Sequence, residues 1–255
     1  MTWPRITQQN VGFTILSSLL LGLLVLTGSC KSDGASSLYT GEYTEGMERM
    51  SFSPYGTKED WWVDQPPRAL QFLVEGPKGG SVLAVVEGER SEQGEYGHTG
   101  AYPHKLTIRR VLARQIPIPA REHGYNTFDS TVIGSPDELR TFLQRIKVDE
   151  AAGWNDPSTF KQAIKRAAID FQHERLVIFR HTESSGSNRV TPRLSVSGDG
   201  ILRFTIDRKV PEMGTADMAY YAFAFAVDTR RIKKAIKVLE DEEKEAFEVS
   251  PGNER

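Results

Sequence analysis

Tyr221-Ala222-Phe223-Ala224-Phe225-Ala226-Val227 alternates a bulky apolar residue with alanine. A period of two marks a β-strand, because successive side chains leave opposite faces of the pleat. This strand has one bulky face and one small face, and the small face lets a helix pack close to the backbone. Upstream, Leu202, Phe204 and Ile206 alternate with Arg203, Thr205 and Asp207, after a tight turn at Gly198-Asp199-Gly200. Val190, Leu194 and Val196 alternate with Thr191, Arg193 and Ser195. Pro192 within that run predicts an edge strand, since proline has no amide hydrogen to donate to a second neighbour. Leu176-Val177-Ile178-Phe179 is apolar at every position, which predicts a strand covered on both faces.

Two helices are predicted before these strands. After a short strand at Thr131-Val132-Ile133, Ser135-Pro136-Asp137-Glu138 announces the first. Ser135 can cap, Pro136 suits the first helical position, and Glu138 stands where it can close a capping box. Leu139, Phe142, Leu143 and Ile146 follow at the helical period. Asp156-Pro157-Ser158-Thr159 starts the second, which carries Phe160, Ala163, Ile164 and Ala167 on one face. Residues 128–238 therefore read as a two-layer α+β domain, with two helices packed on a four-stranded antiparallel sheet.

Residues 54–125 read as a separate, small β-rich unit. Its first two strands are Ala69 to Val74 and Ser81 to Val86, joined as a hairpin through Gly76-Pro77-Lys78-Gly79-Gly80, and its third is Leu106 to Leu112. Ile116-Pro117-Ile118-Pro119 leads out as an extended segment. Residues 30–53 are rich in Gly, Ser, Thr and Glu with sparse apolar residues, and read as a tether. Beyond Asp228, Thr229 is placed to cap a helix carrying Ile232, Ile236 and Leu239. Its charges oppose the helix dipole, with Arg230, Arg231, Lys233 and Lys234 first and Glu240 to Glu245 last, so this helix needs packing and frays into a charged tail over 239–255.

The N-terminus has the order of an export leader: Arg5, then no charge from Val11 to Ser29, with Leu19 to Leu26 its most apolar block. Thr27-Gly28-Ser29-Cys30 follows, and Cys30 is the only cysteine, so no intrachain disulfide can form. The pattern resembles a bacterial lipoprotein signal peptide over 1–29, with Gly28 and Ser29 as small residues before the cut and Thr27 where that family usually has Leu. The resemblance implies a diacylglycerol on the Cys30 thiol and often a further acyl chain such as palmitate on the new amine. An uncleaved membrane-spanning anchor and a plain secretory leader are the alternatives, and all three place the mature chain outside the cytoplasm. In that family an Asp directly after the cysteine favours the inner membrane. Lys31 stands there instead, which favours the outer membrane of a cell envelope. Formal net charge is −2, or −3 once Arg5 leaves with the leader, which offers no electrostatic basis for nucleic-acid binding.

Chemical motifs are scarce. There is no G-x-S-x-G nucleophile elbow, and Gly76 to Gly80 lacks the spacing of a phosphate loop. No catalytic residue, metal site or cofactor is assigned. His173 and His181 bracket a strand and would lie about 26 Å apart along it, far too long for one ion. His98 and His104 lie in a Gly/Tyr-rich loop with no second ligand pair. Trp61-Trp62 reads either as an aromatic platform for a sugar or peptide, or as one core and one half-exposed ring. Two polar loops between strands are binding candidates: the first holds Ser185, Gly186 and Ser187, the second Gly214, Thr215 and Asp217.

Ser135-Pro136-Asp137-Glu138, Asp170-Phe171, Leu176 to Phe179, Ser185-Gly186-Ser187 and the stretch Val210 to Gly214 before Tyr220 to Val227 resemble, in order, the PrcB-like C-terminal domain family. Gly186-Ser187-Asn188 stands where that family usually has two glycines and a tyrosine. The resemblance implies an exported, often lipid-anchored protein that stabilises a protease complex without being the protease, and it implies no catalytic residue. The expected function is a lipid-anchored partner-binding or complex-stabilising protein. The alternatives are an envelope enzyme of unrecognised class and a cell-wall or sugar binder using Trp61 and Trp62.

Overall fold

The structure, a computed structural model, describes residues 36–46, 49–71, 80–146 and 154–250. In chain order its strands begin with β1 (Ser37–Gly46), β2 (Arg49–Pro54), β3 (Trp61–Trp62), β4 (Gly80–Arg90), β5 (Leu106–Ile116) and β6 (Thr131–Ile133). The helices α1 (Pro136–Arg145) and α2 (Pro157–Arg166) come next. They are followed by β7 (Glu174–Glu183), β8 (Arg189–Val196), β9 (Ile201–Lys209), β10 (Ala219–Asp228), β11 (Lys234–Leu239) and β12 (Glu242–Glu248).

Eight strands form one antiparallel sheet in the order β3-β2-β1-β4-β5-β10-β7-β6. Four more form a mixed sheet, β12-β11-β9-β8, in which β11 runs parallel to β9. The fold is thus mainly β, with two short helices among the described residues. This corrects the expected α+β arrangement of a β-rich unit followed by a separate two-layer domain. β10 pairs with β7 on one side and with β5 on the other, Ala224 opposite Ile116, so one sheet runs through both expected units. β8 and β9 leave that sheet and build the second. Alternation reports which faces of a strand are apolar and is silent on which strand lies beside it.

Three clusters of buried side chains follow from the alternation. Tyr221, Phe223, Phe225 and Val227 face the four-stranded sheet together with Val177 and Phe179, and Phe204 of that sheet sits among them. The Phe179 and Phe204 rings stack at 5.1 Å. On the opposite face of β10, Ala222 and Ala224 meet Phe160 and Ile164 of α2. The small face does what its alanines predict, and β7 is buried on both faces, Leu176 and Ile178 toward the helices. A third cluster, with Tyr43, Phe52, Trp61 and Leu70, covers the far end of the same helix-side face. Ser135 Oγ accepts from Glu138 N at 3.2 Å and Asp156 Oδ1 from Ser158 N at 3.0 Å, so both predicted helix starts are capped. Pro192 lies on β8, an edge strand as predicted.

Three further expectations change. The tether read over 30–53 is, from Ser37 onward, β1 and β2, held by the fully buried Tyr43 and Phe52. Two well-placed aromatics suffice because the pair is completed by β4. A Cβ on Gly41 would lie 2.1 Å from Ser53 O, so glycine permits the β1–β2 approach. The helix predicted after Thr229 is instead the β11–β12 hairpin, which takes up most of the expected tail. Glu240 and Asp241 turn it with φ of 53° and 63°, the left-handed pair of a type I′ turn. Charges that oppose a helix dipole suit a hairpin, where they face each other: Lys237 is opposite Glu245 and bonds to it. Finally, Ala69 to Gln71 form a turn that buries Leu70. The remainder of that predicted strand, and most of its Gly/Pro loop, lie outside the described residues, as does Cys30.

Candidate functional site

The chain crosses between the two sheets twice at the same rim. β7 ends in the large sheet opposite the start of β10, Glu183 against Ala219. β8 begins in the small sheet opposite the end of β9, Arg189 against Lys209. The connections 184–188 and 210–218 are therefore neighbours by topology, and the two sets of loop residues singled out from the sequence meet.

Their contact is specific. Gly186 N donates to Asp217 O at 2.9 Å, and Asp217 Oδ1 lies 3.3 Å from the same amide. Arg121, from the segment after β5, clamps both loops: Nη1 donates to Gly186 O at 3.1 Å and Nη2 to Asp217 Oδ2 at 3.1 Å. Thr215 N donates to Ser187 Oγ at 3.1 Å, and the Thr215 hydroxyl lies 3.1 Å from Ser187 Oγ and 3.3 Å from Ser185 Oγ. A Cβ on Gly186 would stand 2.4 Å from Asp217 Oδ2 and 2.6 Å from Arg121 Nη2, so a side chain there would displace the Arg121–Asp217 pair. A Cβ on Gly214 would meet Ser185 Oγ at 2.9 Å. The Thr215 hydroxyl, the Gly186 amide and the Arg121 guanidinium hold the Asp217 carboxyl below the usual carboxylate range.

Beneath this junction lies a buried polar cluster. Glu183 Oε1 is 2.6 Å from His181 Nε2, and Glu183 Oε2 accepts from Asn188 Nδ2 at 2.6 Å. Arg208 Nη1 approaches the same carboxylate at 3.6 Å. His181 and Glu183 share a strand face, as their even spacing requires. The cluster ties the end of β7 to the start of β8 and the end of β9 and sets the direction in which the first loop departs.

The second loop presents apolar side chains to solvent: Met213 is 90% exposed, Val210 60% and Met218 50%. These are the three most exposed large apolar residues among the described ones. At the loop's base Arg189 and Lys209, both exposed, stand directly opposite each other. Like charges in that register repel.

Other candidates lie elsewhere. Trp61 and Trp62 are 2% and 5% exposed, so neither is the half-exposed ring expected of the pair. Trp61 packs edge-on against Tyr39 and His104, and Trp62 against His98. His173 pairs with Asp170 at 2.8 Å. Among the described residues no three His, Cys, Asp or Glu side chains gather as ligands for one ion. No described helix is long and apolar enough to cross a membrane. Arg121 had no signal in the sequence, because nothing local distinguishes it from other surface arginines. Comparison of the chain with protein-family models, curated proteins and solved structures finds no match in any of the three.

Proposed function

We propose that this chain is a lipid-anchored extracytoplasmic protein that binds, and thereby stabilises, another envelope protein through the joined loops 184–188 and 210–218. One observation carries this reading: Val210, Met213 and Met218 are displayed to water on a loop whose base is clamped by Arg121, Gly186 and Asp217. A clamped base lowers the ordering cost of binding, and methionine adapts to an irregular partner surface. Arg189 and Lys209 at the base favour a partner with an acidic rim around an apolar patch. The leader pattern ending at Cys30 supports the anchor, and the resemblance to the PrcB-like family supports a stabilising role.

Mass spectrometry of the mature protein tests the anchor, with an acylated Cys30 at the new N-terminus as the expected result. Affinity capture from detergent-solubilised envelopes tests the loops. A protein retained in fixed ratio by the wild type should be lost with Val210→Asp/Met213→Asp, a variant expected to melt like the wild type. Equal retention by the variant would remove the loop from the interface.

A further inference from the structure

Loop 210–218 carries two of the three methionines among the described residues, and their sulfurs stand in unlike surroundings. Met213 is 90% exposed, and no hydrogen bond from a described residue reaches its sulfur. Met218 is 50% exposed, and its Sδ accepts from Tyr220 Oη at 3.7 Å. The third, Met50, is half-buried against the cluster of Tyr43, Phe52 and Trp61. Tyr220 is itself held in place. Its ring packs on the helix-side core and edge-on to His123, and its carbonyl accepts from Glu122 N at 3.1 Å. The Met218 sulfur is therefore guarded, and the Met213 sulfur is open.

Thioether sulfur is a soft, polarizable nucleophile, and exposure governs how readily it is oxidised. The described residues hold no thiol to compete for an oxidant. A chain outside the cytoplasm also lacks the glutathione and thioredoxin that keep cytosolic sulfur reduced.

We infer that Met213 and Met218 form an oxidation site through which a peroxide weakens docking at this loop. The inference rests on the reading of the loop as the partner-binding surface. In the step, the thioether lone pair attacks one peroxide oxygen. An S–O bond forms as the O–O bond breaks, and the proton on the transferred oxygen passes to the departing hydroxide to give water. Sulfur loses two electrons and the peroxide gains them. The sulfoxide is polar and chiral, so an apolar contact becomes a group that must find hydrogen bonds in the interface.

The test treats the full-length protein, in neutral detergent micelles, with dilute hydrogen peroxide and follows oxygen uptake at each methionine by peptide mass mapping. Met213 should react at more than about twice the rate of Met218, because exposure alone gives nearly that ratio and the Tyr220 bond adds to it. Met50 should be slowest. Tyr220→Phe should speed the reaction of Met218 by about two- to threefold, the factor of one weak hydrogen bond, and leave Met213 unchanged. The melting temperature should stay that of untreated protein, since neither sulfur lies in a core. Treated wild type should retain about tenfold less of the partner captured from solubilised envelopes, the factor for losing one buried methionine contact. Met213→Leu/Met218→Leu, apolar but inert to peroxide, should retain as much after treatment as before. Met50 reacting as fast as Met213 would overturn the site. Undiminished retention by treated wild type, or a fall in melting temperature, would overturn its effect on docking. Absence of a partner for untreated wild type would refute the docking reading and that effect with it, while the oxidation rates still decide the site.

Discussion

Arg121 and Asp217 are 96 residues apart in the chain, and their side chains meet at 3.1 Å across the rim where both inter-sheet loops pass. The pair is solvent-exposed on both sides, so screening leaves it little weight in global stability. Its consequence is local, since it holds Gly186 against the second loop. Arg121→Ala should leave the melting temperature nearly unchanged and speed hydrogen exchange at the Gly186 amide. Unchanged exchange would separate the pair from loop order.

The same junction has a pH signature. Asp217 is held below its ordinary pKa in the folded protein, so its bonds are complete above the unfolded-state value and are lost as pH falls through the lower folded value. The amide shift of Gly186, followed by NMR, should titrate with a midpoint below the ordinary aspartate value of about 3.9. A midpoint at or above that value would contradict the bonding described.

Glu183 is a carboxylate with no exposed side-chain surface, shared by His181 and Asn188. Glu183→Ala leaves the buried His181 and Asn188 donors without their acceptor and should cost about 3 kcal/mol in chemical denaturation. The loop 184–188 should lose protection with it, since that cluster sets the loop's departure. A cost near that of Arg121→Ala would show the cluster to be hydrated instead of sealed.

Phe204 is the centre of the packing between the sheets, stacked on Phe179 and in contact with Phe223 and Phe225. Phe204→Ala should destabilise by about 3–5 kcal/mol. If the two sheets were independent units, the loss would appear in only part of a biphasic transition.

Two backbone positions make opposite demands. Ala168, just past α2, has φ of 45°, a left-handed conformation that costs an alanine about 1–2 kcal/mol. Ala168→Gly should therefore raise stability by about 1 kcal/mol after the added chain entropy is offset. Gly41→Ala should lower stability, because its Cβ would overlap Ser53 O. Thermal melts of the two variants should move in opposite directions.

Legibility in the sequence followed the range of the interaction involved. Ser135 and Asp156 cap their helices through residues two and three positions away, so both starts could be read directly. Ser185, Gly186, Ser187, Gly214, Thr215 and Asp217 were singled out as members of two separate loops, and nothing in either loop announced the other. Arg121 was missed because its role depends on the return of β10 beside β5 and β7. The tail was misread because Ile232, Ile236 and Leu239 fit a helix as well as a strand, and the hairpin turn sits at Glu240-Asp241 without the usual glycine.

Taken alone, the order of side chains determined which face of each strand is bulky, which is small, and where proline forces an edge. Those properties come from the backbone's own period of two and need no neighbour. Tertiary structure alone decided that β10 lies between β5 and β7, that β8 and β9 form another sheet, and that Arg121 reaches Asp217. Several strands carry interchangeable alternation, so partners are selected only when register, burial and chain connectivity are satisfied together.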